Sequence, residues 1–143
     1  IIIAGAGEVG FHLAKLLSFE SQDITLIDPN RDNLAYADTH LDIRTIKGDA
    51  SSIRILKDAQ VKHTDMVISV TSSEATNITV CVLAKQLGAK RTIARISNTE
   101  YLRMLIQINP KYRDRFWCIR LGEHISNMER HVGTGRTRES HWD

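Results

Sequence analysis

Ile1-Ile2-Ile3-Ala4-Gly5-Ala6-Gly7-Glu8-Val9-Gly10 is an apolar run that breaks into three glycines at GxGxxG spacing. Its reading decides the fold. Ile1–Ala4 has the length and branched apolar character of a buried strand. Val9–Ser18 carries Val9, Leu13, Leu16 and Leu17 at helical spacing. A GxGxxG alone arises by chance, but between a buried strand and an amphipathic helix it is the phosphate turn of a dinucleotide-binding βαβ unit. Gly5 permits the tight turn out of the strand. Gly7, without a Cβ, lets a pyrophosphate approach the backbone. Gly10 lets the helix pack close to the sheet. The helix N-terminus supplies free N–H groups and positive dipole character.

Downstream, strand-like and helix-like stretches alternate: strands at Ile24–Asp28, Ile43–Ile46, Met66–Val70 and Thr92–Ile96, helices at Arg31–Asp38, Ser51–Ala59 and Glu74–Leu87, and a helix start at Ser97-Asn98. Gly88 sits where a helix C-cap belongs. Short apolar strands alternating with helices imply a parallel sheet covered on both faces, hence a Rossmann-like, doubly wound α/β fold. Past residue 103 the pattern fades. Arg103–Ile108 continues a helix, Asn109-Pro110 breaks it, Trp117–Leu121 is the candidate sixth strand, and a flexible polar tail is expected from about residue 133. The expected division is a nucleotide-binding domain over residues 1–102 and a divergent, partly helical segment over 103–143.

Asp28 ends the second strand 18 residues after Gly10, near the spacing at which a carboxylate meets the adenosine ribose hydroxyls. A carboxylate there repels a 2′-phosphate and favours NAD(H) over NADP(H). Arg31, beyond the Pro29 turn, softens that preference. Gly48-Asp49-Ala50-Ser51 follows the third strand, where Asp49 or Ser51 is also a candidate helix cap. Thr71-Ser72-Ser73-Glu74 and Asn77 follow the fourth, at the sheet edge where open α/β folds bind ligands. Ser72 or Ser73 reads equally as an N-cap.

Composition sets outer bounds. The chain has 143 residues, 42% hydrophobic and 25% charged, enough for one domain with a sizeable core. No apolar run is long enough to span a membrane, and no charged-then-apolar leader is present. The opening in an apolar run without Met suggests that a few residues precede Ile1. Residues 1–102 carry 11 basic against 12 acidic side chains, residues 103–143 carry 8 against 5. That basic bias is not a dense tract with interleaved aromatics, so no nucleic-acid partner is expected. Cys81 and Cys118 form no metal or redox spacing and read as buried or free thiols in a reducing compartment. The six histidines have no metal-ligand spacing and read as surface residues. No YxxxK and no GxxxxGK[ST] occurs.

These motifs, in this order and spacing, resemble the Trk/Ktr potassium-transport regulators, the KTN or RCK domain family. The residues that carry the likeness are IIIAGAGEVGFHLAKLL from Ile1, the strand ending in LID at Asp28, GDAS at 48–51, DMVISVTSSEATNI at 65–78 and AKRTIARI at 89–96. The resemblance implies a non-catalytic cytoplasmic gating subunit on the inner face of the cell membrane, a homodimer or larger ring beneath a potassium channel or transporter subunit. It implies NAD or NADH as ligand, with ATP or ADP as further ligands. Gly5, Ala6, Gly7, Glu8, Val9 and Gly10 then form the phosphate turn, Asp28, with Pro29 and Arg31 beside it, the ribose site, and Asp49 and Ala50 the adenine wall. Thr71, Ser72 and Glu74 close the ribose–phosphate side, and Arg95 reaches a phosphate or a neighbouring subunit. The alternative is the cofactor half of an NAD-dependent oxidoreductase.

Overall fold

A computed structural model describes residues 1–114 and 117–118. The chain runs β1 (Ile2–Ala4), α1 (Glu8–Ser18), β2 (Thr25–Asp28), α2 (Arg31–His40), β3 (Arg44–Lys47), α3 (Ile53–Asp58), β4 (Met66–Ser69), α4 (Glu74–Gln86), β5 (Arg91–Ile96), α5 (Thr99–Ile108) and β6 (Trp117–Cys118). Single 3-10 turns cover Val61–His63 and Pro110–Asp114. The strands form a parallel sheet in the order β3-β2-β1-β4-β5-β6. This is the expected doubly wound α/β fold, and its strand order reverses between β1 and β4.

Registry and side-chain alternation sort the core into two layers. Ile3 pairs with Leu26 on one side and Ile68 on the other, and all three point to the face covered by Leu13 and Leu17 of α1 and Leu34 of α2. Ile2, Ala4, Ile27 and Val67 point the other way, against Leu56 of α3 and Val80 and Ala84 of α4. Because both faces are covered, the central strands β1, β2 and β4 carry apolar residues at successive positions rather than alternate ones.

Two helices start at an asparagine cap. Asn30 Oδ1 accepts from the N–H groups of Asp32 and Asn33 to open α2. Asn98 Oδ1 does the same for Glu100 and Tyr101 in α5. Helix α3 is shorter than expected: Ser51 is held by the Asp49 carboxylate in a tight turn, and the helix begins only at Ile53. The division expected after residue 102 falls inside α5, because Leu102 is buried with Cys81, Ala94 and Ile96 and keeps that helix on the sheet. The sixth strand is present as β6, paired in parallel with Arg95 and Ile96; residues 119–121 and the tail expected from about residue 133 lie outside the described residues.

Gly10 sets how closely α1 approaches the sheet. A Cβ there would lie 1.6 Å from the Gly5 carbonyl oxygen, a backbone atom that no rotamer change can move aside. Gly10→Ala is expected to destabilise the fold by about 3 kcal/mol, the upper end of overpacking costs. Thermal denaturation followed by circular dichroism should show a midpoint lowered by roughly 10 °C; an unchanged midpoint would refute the close approach.

Candidate functional site

The carboxyl ends of β1 to β5 converge on one cleft of about 600 Å³. Its floor is the turn between β1 and α1. Gly5 has φ +106°, a conformation that side chains disfavour, and its N–H donates to the Ile27 carbonyl at 2.8 Å. Gly7 is the N-cap of α1 and no side chain caps the helix, so the first-turn N–H groups stay available for an anion. A Cβ on Gly7 would meet no atom within 4 Å. The three glycines thus divide the work: Gly5 turns, Gly10 packs, and Gly7 leaves space on the cleft side.

Asp28 is buried at the end of β2. Its Oδ2 accepts from the Ala6 N–H at 2.7 Å and its Oδ1 from the Asn30 N–H at 2.7 Å. One carboxylate therefore ties the phosphate turn to the start of α2. Each oxygen keeps acceptor capacity beyond these bonds, and Asp28 still lines the cleft. Asp49 is exposed on the rim. The Ser51 hydroxyl, at 2.7 Å, and the Ser51 N–H hold its carboxyl below the usual carboxylate range, so it is a charged acceptor at neutral pH.

The opposite wall is the loop after β4 with the end of β5. Ser73 caps α4, its hydroxyl accepting from the Thr76 N–H; Ser72 is exposed and lines the cleft beside it. Arg95 is the one basic side chain on the lining among the described residues. Charge is thus sorted along the cleft. Asp28 and Asp49 offer acceptors at the β2 and β3 ends, uncapped N–H groups lie in the middle beside the exposed Glu8 side chain, and hydroxyls and a guanidinium lie at the β4 and β5 ends.

Of the residues singled out in the sequence, Gly5, Gly7, Glu8, Val9, Asp28, Pro29, Asp49, Ala50, Thr71, Ser72 and Arg95 line the cleft. Four others do not. Ala6 is buried and contributes its N–H to Asp28. Gly10 is buried under the turn. Arg31 starts α2 on its exposed side. Glu74 turns away toward β5, where its Oε1 accepts from the Ser97 N–H, the Ser97 hydroxyl and the Asn98 N–H; the Ser97 hydroxyl is the main cause of a carboxyl held below its usual range. Gly48 and Ser73, quoted in those motifs but not as ligand contacts, also line the cleft, as do Asn33 and Thr76, which the sequence had not singled out. Asn33 and Thr76 lie in the first turns of α2 and α4, the helix ends that face the cleft, and that placement was their one available signal. The described histidines, His12, His40 and His63, are exposed. Burial pushes the Cys81 thiol up, which keeps it protonated and inert.

The TrkA-N domain family model matches residues 1–110. A Trk system potassium uptake protein TrkA homolog of Archaeoglobus fulgidus is 35% identical over 122 residues, 85% of this chain and 28% of the relative. The chain spans between 22% and 47% of the length of the curated relatives it matches. Among solved structures, the GsuK channel bound to NAD superposes with a TM-score of 0.67 at 15% identity, covering 80% of this chain and 20% of that one. The GsuK structure bound to ADP gives 0.61 at 18% identity, covering 79% and 33%. At such identities the structural likeness speaks for the fold.

Two substitutions separate the roles of the turn. Gly7→Val should leave the melting midpoint within about 3 °C of the parent, since its side chain enters open space, yet abolish nucleotide binding in a fluorescence titration. Asp28→Ala strands two N–H groups and should lower stability by about 1–3 kcal/mol while also weakening NADH. A Gly7→Val protein that still binds nucleotide would displace the phosphates from this turn. An Asp28→Ala protein as stable as the parent would remove the structural half of the carboxylate's role.

Proposed function

The chain belongs to the TrkA-N family, and on that premise we propose that it is the nucleotide-sensing domain of a regulatory protein of potassium uptake, taking NADH or NAD in the cleft with ATP or ADP competing for the same place. The observation that carries this reading is the sorting of charge along the cleft. An adenosine moiety presents hydroxyl and amino donors, which suit Asp28 and Asp49. Phosphates suit the uncapped start of α1, with Arg95 and the Thr71–Ser72 loop beyond. The adenosine and phosphate parts are common to all these ligands, and GsuK structures carry either NAD or ADP.

The domain acts as a switch rather than a catalyst. Among the described residues the lining has no His, Cys, Lys or Tyr, and its buried carboxylate is committed to two backbone N–H groups. The site can hold a nucleotide; its side chains are poorly placed to move a proton to or from a substrate. The nucleotide then acts only through its preference for one arrangement of the assembly over another. Tyr101, Met104 and Ile108 lie exposed along α5 at helical spacing and give the domain an apolar stripe for self-association into a dimer or ring. Among the described residues no helix is long and apolar enough to cross a membrane. On the family premise, the domain serves a potassium channel or transporter subunit, on whose cytoplasmic side it sits.

Calorimetric titration of the chain with NADH, NAD, NADPH, ATP and ADP tests the reading. NADH is expected to bind with a dissociation constant on the order of micromolar, ADP and ATP to displace it, and NADPH to bind at least roughly tenfold more weakly because its 2′-phosphate meets Asp28. Binding restricted to one nicotinamide cofactor, with ATP and ADP ignored, would favour the cofactor half of an oxidoreductase instead.

A further inference from the structure

The first turn of α4 is built around the end of β5. Asn77, on that turn, is 1% exposed and spends its whole amide on one junction. Its Oδ1 accepts from the Ser69 hydroxyl at 2.9 Å, the Thr71 N–H at 2.9 Å and the Thr71 hydroxyl at 2.7 Å. Its Nδ2 donates to the Thr71 carbonyl at 3.1 Å and the Arg95 carbonyl at 2.9 Å. The Thr71 N–H can only donate and the two carbonyls can only accept, so the amide has a single orientation. One helical turn neighbour away, Glu74 accepts from Ser97 and Asn98. Two side chains of one helix thus hold both the loop after β4 and the residues from Arg95 to Asn98.

We propose that Asn77, assisted by Glu74, is a positioning residue for the phosphate end of the cleft. It fixes Thr71 and Arg95, both on the lining, at one separation, so that a phosphate-bearing ligand meets a wall already in place. The inference rests on reading the cleft as a nucleotide site. A chain without this junction would have to order a loop and a strand end when ligand arrives, which costs affinity. The Thr71 hydroxyl has one proton and two acceptors, Asn77 Oδ1 and the Ser73 carbonyl at 3.1 Å. It can turn to a ligand oxygen while the Thr71 N–H stays on Asn77. Adenosine, which lacks the phosphates, gains nothing from this wall.

The test is a double-mutant cycle on the full chain with ADP and adenosine as probes. Asn77→Ser is expected to weaken ADP on the order of tenfold and adenosine by less than about threefold, and to add less than about threefold when Arg95→Gln is already present. Equal losses for the two probes, or additive losses with Arg95→Gln, would overturn the proposal. If Asn77→Ser fails to fold, Glu74→Gln, at a half-exposed position, takes its place in the same cycle. A loss of about threefold in ADP affinity that vanishes in the Arg95→Gln background supports the proposal; no loss, or one that persists there, overturns it. Parent protein that binds neither probe would instead bring down the reading of the cleft itself.

Discussion

Helix α1 lies so close to the end of β1 that the position of Gly10 has no room for a Cβ against the Gly5 carbonyl. The rest of the site depends on that approach. It aims the first turn of α1 at the switch point of the sheet, where the strand order reverses, and brings Ala6 within reach of Asp28. The Asp28 carboxylate then bonds the turn on one side and the start of α2 on the other. Glycine geometry and a buried carboxylate form one device, since an Ala6 N–H aimed elsewhere would leave one oxygen of the buried Asp28 carboxylate without its partner, a costly state.

The same arrangement explains why the cleft is graded in charge. Parallel strands end together, so all their C-terminal loops share one edge. What differs between the loops is what each side chain is already doing. Asp49 is occupied by Ser51, Ser73 by the start of α4, Glu74 by the β5–α5 connection. Among the described residues the first turn of α1 has no side-chain cap, and the Arg95 guanidinium lines the cleft with Glu74 as a charged neighbour; both suit an anion.

How much of this was legible in the sequence varies with how local the cause is. The strands, the helices and the three glycine roles were legible because their causes lie within a few residues: apolar runs, helical spacing, a turn between them. Asp28 was legible as a site residue from its spacing. Its structural bond to Ala6 was not, because spacing says nothing of which backbone N–H a carboxylate will meet. Glu74 read as a cleft residue because it follows the Thr71-Ser72-Ser73 loop. Its true partners lie 23 and 24 residues further on, and only the pairing of β4 with β5 brings them near. Asn77 stood out as part of a motif, but its five bonds to three segments need the assembled sheet to be seen. The helix boundaries at Glu8 and Ile53 differ from expectation by one or two residues for an ordinary reason: N-caps and turns compete for the same short polar side chains.

The cleft is held by two clasps that do not touch the same elements. Asp28 joins the turn after β1 to the turn after β2. Asn77 joins the loop after β4 to the end of β5. Across the switch point, the direct ties are backbone contacts such as the Val70 N–H on the Ala4 carbonyl at 2.8 Å. A ligand lying from Asp28 to Arg95 spans both clasped halves and adds bonds where the protein's own side-chain ties are sparse. Helix α5 is capped by Asn98, which Glu74 holds, so the helix with the exposed apolar stripe stands directly behind the second clasp. On the proposed reading, a nucleotide that stiffens the join between the halves would act on the helix that carries the exposed apolar stripe. Its leverage is limited to the difference in binding free energy between the arrangements the assembly can adopt.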